Sequence, residues 1–324
     1  MRRSDMATIK RCDDDMLRAA ADGAGPQRLS STARFAVYLA PSGPFDALGR
    51  QWLGRDAQTG QALARDWVAG LASDDMLFGA GGDAGQDVIT AATVDAWTDD
   101  PRRYGLHATM KPPFRLAHGR SAFALDQAVR VIATSTTPFD LPLRLGSLRG
   151  FLAWQPADTV VAQGPLQRLA DQCVARLDAF RAAPTDAERA RRMARGEGKD
   201  ACFDVRQQAN LDRWGYPYVF DTFHFHVTLT RRLTPEAEAR ARRALMALAV
   251  REEAGGRSGM VTALTGAVMP VRTISIFVQP ETDAPFVVAR HYDFDGGVQD
   301  GVGAWALSDT TESIETEAGR QRAQ

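Results

Sequence analysis

The sequence has no long uninterrupted apolar run, little cysteine and only five histidines. Without about 18 consecutive apolar residues, it predicts no transmembrane helix. The first residues carry positive charge with no apolar stretch behind it, so they do not predict a secretory signal. Cys12, Cys173 and Cys202 are widely spaced and form no CxxC pair, which favours a reducing compartment over a disulfide framework. We therefore expect a cytoplasmic protein with no membrane partner.

The sequence also lacks an excess of charge of either sign. Its 39 Lys and Arg residues nearly balance 40 Asp and Glu residues, which gives a formal net charge of −1. Proteins that bind long nucleic acids need a basic excess on at least one face, so a partner of that kind is disfavoured. Hydrophobic residues make up 44% of the 324 positions, enough to bury a sizeable core.

Pattern and composition divide the chain into three parts. Residues 1–30 are charged and unpatterned, so we expect a flexible N-terminal tail. Residues 296–324 have a similar composition and predict a flexible C-terminal tail. The organised region, 31–295, is expected to form a single bilobal domain.

An internal repeat indicates the fold class. The order strand, helix, strand, strand occurs twice, and Thr234 and Pro235 have the residue types that begin a helix. Duplication of this unit predicts an α+β, bilobal fold with two antiparallel sheets, helices on their outer faces and a central cleft. In the first copy we predict a strand at 106–110, a helix at 121–135 and strands at 139–148 and 151–155. In the second copy we predict a strand at 222–230, a helix that begins at 234 and strands at 271–279 and 286–294.

Two of the histidines begin the same His-Xxx-Thr pattern, each on the strand that opens a repeat copy. Side chains two apart on a strand share a face, so His107, Thr109 and Lys111 are expected to point the same way. His226 and Thr228 are expected to share a face for the same reason. If a pseudo-two-fold axis relates the copies, these polar faces meet across the cleft.

These residue types suit phosphoester chemistry without a metal or a cofactor. An imidazole with an ordinary pKa near 6.5 can take or give a proton around neutral pH. Threonine hydroxyls and a lysine ammonium can donate hydrogen bonds to the non-bridging phosphate oxygens, where charge concentrates in the transition state.

The paired motifs resemble the 2H phosphoesterase superfamily, which includes 2′,3′-cyclic-nucleotide phosphodiesterases and RNA 2′,5′-ligase-like proteins. The longer strings YGLHATMKPPFRLA at 104–117 and DRWGYPYV through FHFHVTLT at 212–230 resemble the branch encoded beside carbon–phosphorus lyase genes, described as phosphonate-metabolism proteins. The resemblance spans about 34–294. It implies a bilobal fold with a central cleft.

The resemblance also implies roles for four residues. His107 and His226 would be catalytic, and Thr109 and Thr228 would bind phosphate. By analogy with cyclic phosphodiesterases, His107 would be the general base and His226 the general acid. The pseudo-symmetry leaves the reverse assignment open.

Three further residues are candidates for substrate binding. Lys111 follows the first motif on the expected cleft face, where it would contact phosphate. Tyr104 and Tyr218 would stack on a base or line the cleft, although packing within a loop is the alternative interpretation. His224 and His226 have metal-ligand spacing, but the sequence offers no evident further ligands, so we predict no metal site.

These observations predict a metal-independent cyclic phosphodiesterase that acts on a small-molecule phosphoester in phosphonate metabolism, beside other enzymes of that pathway. One alternative is an enzyme that acts on 2′,3′-cyclic RNA ends or joins 2′,5′ ends. The other is a non-catalytic protein of the same pathway that binds a phosphate ligand.

Overall fold

The computed structural model describes residues 29–71, 89–157, 159–186, 188, 190 and 203–308. Within these ranges lie nine strands and eight α-helices. The strands are β1 (Arg34–Leu39), β2 (Ala108–Phe114), β3 (Phe139–Leu148), β4 (Phe151–Pro156), β5 (Val227–Thr228), β6 (Ala267–Val271), β7 (Thr273–Gln279), β8 (Val287–Asp293) and β9 (Val298–Asp300). The helices are α1 (Gly43–Leu53), α2 (Trp67–Leu71), α3 (Ala91–Tyr104), α4 (Ala122–Thr134), α5 (Thr159–Arg176), α6 (Val205–Trp214), α7 (Pro235–Ala254) and α8 (Met260–Thr265).

All nine strands form one antiparallel sheet in the order β6-β3-β4-β5-β2-β1-β7-β8-β9. The prediction of two separate sheets was therefore wrong, while the mixed α and β composition is confirmed. The two halves join at the centre, where the short strand β5 pairs with β2 on one side and β4 on the other. A repeat pattern describes how each copy folds, but it carries no information on whether the two copies share backbone hydrogen bonds.

The main core lies between the helices and one face of this sheet. Helices α1 to α5, α7 and α8 contribute to it, together with alternate residues of the strands. Ala108 and Met110 of β2 are buried in this core, as is Val227 of β5. The residues between them therefore point to the opposite face of the sheet.

The predicted repeat elements occur in both copies, with one marked difference. Strand β3 has the predicted bounds, and α7 begins where Thr234 accepts a hydrogen bond from the Ala237 N–H. The strand expected over 222–230 shrinks to two residues, preceded by a 3₁₀ turn at Phe220–Thr222. The Thr222 hydroxyl donates to nearby backbone carbonyls in this turn, a local alternative to pairing within the sheet.

The prediction of a flexible C-terminal tail is wrong for residues 296–308. Strand β9 pairs with β8 here, and a 3₁₀ helix follows at Ala304–Leu307. Ala306 and Leu307 are buried in the main core, so this segment belongs to the folded domain. The predicted N-terminal tail lies, up to residue 28, outside the described residues.

Two further features concern the cysteines and the possibility of a membrane-spanning helix. Cys173 is buried and free, whereas Cys12 and Cys202 lie outside the described residues. No helix in the described part of the chain is both long and apolar enough to span a membrane.

Candidate active site

The site is organised around the single residue pair that joins the two halves of the sheet. Ala108 of β2 is the antiparallel partner of Val227 of β5. Both side chains are buried, at 1% and 0% exposure, so they face the helix-covered core. The residues that flank them must point to the opposite face, because neighbouring side chains on a strand alternate. We call it the open face, since the four motif residues on it are partly exposed.

This open face carries both His-Xxx-Thr motifs. Antiparallel register around the central pair sets His107 opposite Thr228, and Thr109 opposite His226. All four side chains are partly exposed. Directly opposite residues of an antiparallel pair have Cβ atoms about 4.5–5.5 Å apart and diagonal residues about 7–8 Å. His107 and His226 occupy diagonal positions, and the charge of His226 acts on His107. The structure thus brings together the four residues that the sequence paired.

The two imidazoles are held in the same way. The Nδ1 atom of His107 lies 2.8 Å from the Gly105 carbonyl oxygen, and that of His226 lies 2.8 Å from the His224 carbonyl oxygen. A carbonyl only accepts, so Nδ1 carries the proton and donates in each ring. In the neutral form this leaves the Nε2 lone pair of each imidazole to accept a proton.

Burial lowers the pKa of both histidines. The pKa of His107 falls to about 4, mainly through burial and with a smaller contribution from the charge of His226, while the Gly105 carbonyl opposes the change. The pKa of His226 is lowered by burial and, to a smaller degree, by the charges of His224 and Arg149. Both rings are therefore neutral at pH 7 in the free protein.

Tyr38 of β1 fixes the plane of the first imidazole. Its ring stacks on His107 with centroids 3.9 Å apart and 27° between the planes. Tyr38 is the β-sheet partner of Thr109, which places it on the same face. Its hydroxyl is buried and finds no hydrogen-bond partner among the described residues, and burial raises its pKa well above the usual value. No motif in the sequence indicates this contact, because the pairing of β1 with β2 is not local.

Arg149 is a second residue that sequence analysis missed. It lies in the turn between β3 and β4 with φ at +50°, a backbone conformation uncommon outside glycine. Its Nη1 donates to the Tyr218 hydroxyl at 2.8 Å, and the guanidinium stands 4.8 Å from the centroid of that ring. Its charge acts on His226, so it supplies a cation beside the second imidazole. The Arg-Gly sequence indicates a turn at this point, but it does not indicate that the turn lies beside the second histidine.

Lys111 does not share the face of the histidines, contrary to the prediction. A register shift in the pairing of β1 with β2 makes Lys111 the partner of Val37, a residue of the main core. The bulge breaks the alternation on which the prediction depended. The Lys111 side chain is 2% exposed, and its ammonium donates to the Val174 carbonyl at 3.1 Å, while burial lowers its pKa to about 8.

The two candidate tyrosines lie at opposite ends of the site. The Tyr104 ring is 5.9 Å from that of His107 and stacks on Phe286 at 5.4 Å. Tyr218 contacts Arg149 beside the second imidazole. Their contact with substrate remains a prediction.

His224 and His226 have the spacing of metal ligands, but the described residues place no further ligands beside them. His224 is exposed. Across the described ranges, no group of three or more His, Cys, Asp or Glu side chains is placed to hold a metal ion.

Comparison with known proteins gives relatives and a family. A ribose 1,5-bisphosphate phosphokinase PhnN of Laribacter hongkongensis (strain HLHK9) is 31% identical over 296 residues, which cover 89% of this chain and 55% of that protein. A protein of the same name from Janthinobacterium sp. (strain Marseille) is 34% identical over 227 residues, 67% of this chain and 44% of that protein. The chain spans about half the length of these curated relatives. None of these descriptions names the 2H phosphoesterase superfamily. A family model matches residues 109–287, more than half of the chain, and the chain therefore belongs to the family described as "Protein of unknown function (DUF1045)".

Proposed function

We propose that this chain is a 2H-type cyclic phosphodiesterase that opens a cyclic phosphate on a phosphorylated ribose. The observation that carries the proposal is the pairing of Ala108 with Val227, which sets both His-Xxx-Thr motifs side by side on one open face. Two imidazoles at diagonal positions flank the space where one phosphorus atom would lie.

The proposed reaction uses one imidazole as base and the other as acid. The base takes a proton from water through Nε2 as the water oxygen attacks phosphorus. The bond from phosphorus to one ring-forming ester oxygen breaks, and the acid gives its proton to that oxygen. One water is consumed, and a phosphate monoester and a free hydroxyl are formed. Positioned acid and base catalysis contribute about 10²–10⁴-fold each.

Thr109 and Thr228 would stabilise the charge that develops on phosphate. Each threonine lies opposite the histidine of the other motif, so each hydroxyl lies beside the space between the imidazoles. Hydrogen bonds to the non-bridging oxygens strengthen as negative charge accumulates there. Arg149, beside His226, adds a cation at the same end of the site.

We assign the two roles from the pKa of His107 and the charge of the bound substrate. His107, with a pKa near 4, is neutral at physiological pH and suits the base. The acid must be protonated, and the negative charge of a bound phosphodiester raises the pKa of a neighbouring imidazole. We assign that role to His226.

The names of the relatives suggest the product. Those proteins are named as kinases of ribose 1,5-bisphosphate, and this chain spans about half their length. The sequence contains no GxxxxGK[S/T] phosphate-binding loop, so we assign the kinase activity to the part of the relatives that this chain does not cover. Opening a ribose 1,2-cyclic phosphate that bears a 5-phosphate yields ribose 1,5-bisphosphate. The proposed enzyme would thus supply the kinase with its substrate, and the resemblance to phosphonate-metabolism proteins supports a role for both in that pathway.

A panel of cyclic phosphates, followed by ³¹P NMR with EDTA present, tests the function. We expect hydrolysis of 5-phosphoribosyl 1,2-cyclic phosphate with kcat/KM well above the values for nucleoside 2′,3′-cyclic phosphates and ADP-ribose 1″,2″-cyclic phosphate. A preference for the nucleosides would favour an enzyme of RNA ends. Binding without turnover would favour a non-catalytic protein. Activity that disappears in EDTA and returns with zinc would overturn the metal-independent mechanism.

A further inference from the structure

A cavity lies beside the candidate active site on the His107 side. It has a volume of about 310 Å³, in the range of a small metabolite rather than an oligonucleotide. Tyr104 and Phe286 form part of its wall. Since Tyr104 also lies 5.9 Å from the His107 ring, the cavity begins one aromatic side chain away from the imidazole.

Four arginines and three carboxylates, among them Asp100, line this cavity, and three of the four arginines are held in ion pairs. Arg103 pairs with Asp283 at 3.2 Å, and Arg115 pairs with Glu188 at 3.2 Å. Arg181 pairs with a carboxylate as well, at 2.8 Å. These ion pairs shape the wall, and they leave little positive charge there for a ligand.

Arg34 differs from the other arginines of the wall. It begins β1, and its Nε donates to the Gln279 side-chain oxygen at 2.6 Å. Its guanidinium stands 5.6 Å from the centroid of the Phe286 ring. No carboxylate pairs with Arg34 among the described residues, so its two terminal nitrogens keep their donors for an anion. The Gln279 contact and the ring hold the guanidinium in place, which limits the entropy lost on binding.

We propose that this cavity binds the second phosphate of the substrate, a monoester on the far end of its pentose. The inference rests on the proposed function, because it names the substrate of the same site. A guanidinium that is in no ion pair, such as that of Arg34, can hold one phosphate monoester through two parallel N–H···O bonds. The partly exposed ring of Tyr104, stacked on the buried ring of Phe286, offers an apolar surface to the sugar between the two phosphates. The enzyme therefore selects cyclic phosphates that carry a second, terminal phosphate.

Two measurements on Arg34→Met test this subsite. The first is calorimetric titration with D-ribose 5-phosphate, which has no cyclic ester to hydrolyse. We expect the wild type to bind it and Arg34→Met to bind at least tenfold more weakly, with Arg34→Lys in between. Arg257→Met serves as the control, because Arg257 is an exposed arginine paired with Glu252 and is no part of the cavity wall. Equal affinity of the wild type and Arg34→Met would overturn the proposal.

The second measurement compares kcat/KM for ribose 1,2-cyclic phosphate with and without a 5-phosphate. We expect the wild type to prefer the phosphorylated form by more than tenfold, and Arg34→Met to lose most of that preference. Equal use of both substrates by the wild type would overturn the subsite and leave the phosphodiesterase standing. Turnover of neither substrate, with Arg34-dependent binding of ribose 5-phosphate retained, would overturn the phosphodiesterase and leave the subsite.

Discussion

Each imidazole of the site has its Nδ1 against the carbonyl oxygen of the residue two positions earlier. The repetition of this contact in both motifs fixes the same tautomer twice and leaves two equivalent Nε2 atoms. What distinguishes the rings is their surroundings: His107 is stacked on Tyr38, whereas His226 lies beside the cation of Arg149. Neither set of surroundings raises the pKa of its ring, so the assignment of His226 as acid depends on the charge of the bound phosphodiester, which favours the imidazolium form.

The lowered pKa values predict an acidic optimum for the free enzyme. Hydrolysis requires one neutral and one protonated imidazole, and both pKa values lie below 6.5. We therefore expect a bell-shaped plot of kcat/KM against pH with its maximum below pH 6.5. Above that pH kcat/KM should fall about tenfold per unit, because the singly protonated form becomes scarce.

The profile of kcat should lie at higher pH, because bound phosphate favours the imidazolium form. Initial rates on a cyclic phosphate between pH 4 and 9 give both profiles. A kcat/KM that still rises between pH 6.5 and 8 would contradict the lowered pKa values of both histidines and the paired-histidine mechanism with them.

Among the elements, strand β2 shows where the sequence stops being informative. Its alternation correctly separates His107 and Thr109 from Ala108 and Met110, because a two-residue period is a local property of a strand. The alternation fails at Lys111, because the bulge depends on how β2 pairs with β1.

The stability of a Lys111→Met variant distinguishes a structural lysine from a phosphate ligand. With a folded pKa near 8 against 10.5 in the unfolded chain, the buried ammonium disfavours the folded state below pH 8. The free energy of unfolding of the wild type should therefore gain a contribution as pH rises from 8 to 10.5, and Lys111→Met should lack it. Urea unfolding at several pH values measures the difference.

The same variant should keep its hydrolytic activity within about threefold, since the side chain lies in the core and away from the imidazoles. A hundredfold loss of kcat with unchanged stability would instead indicate that Lys111 contacts the substrate.

At the scale of the whole molecule, the candidate site depends on contacts between segments far apart in the chain. Strand β5 has two residues, and α1 supports it through the Trp52 side chain, which donates to the Leu229 carbonyl at 2.9 Å. Tyr38 reaches the site from strand β1 and Arg149 from the turn between β3 and β4, and no motif connects either residue to the histidines. The sequence could predict the pair of motifs and the repeat, but not these neighbours or the single sheet, because strand order is set by packing between distant segments.

The folded C-terminal segment gives a test of the whole-molecule packing. Leu307 is 3% exposed in the main core, so Leu307→Ala should lower the free energy of unfolding by about 2–5 kcal/mol. The control Val302→Ala, at a residue 50% exposed, should change it by less than about 0.5 kcal/mol. Urea denaturation of both variants measures these free energies of unfolding. Equal, small effects of the two substitutions would contradict the packing of this segment against the core.

The most direct test of the account is the turnover of 5-phosphoribosyl 1,2-cyclic phosphate by His107→Ala, His226→Ala and the double variant. We predict that each single variant lowers kcat by about 10²–10⁴-fold, and that the double variant loses less than the product of the two, since both groups act in one step. The exposed His118→Ala serves as control and should match the wild type. Circular dichroism and affinity for ribose 1,5-bisphosphate should change little. Turnover within threefold of the wild type in either single variant would contradict the account.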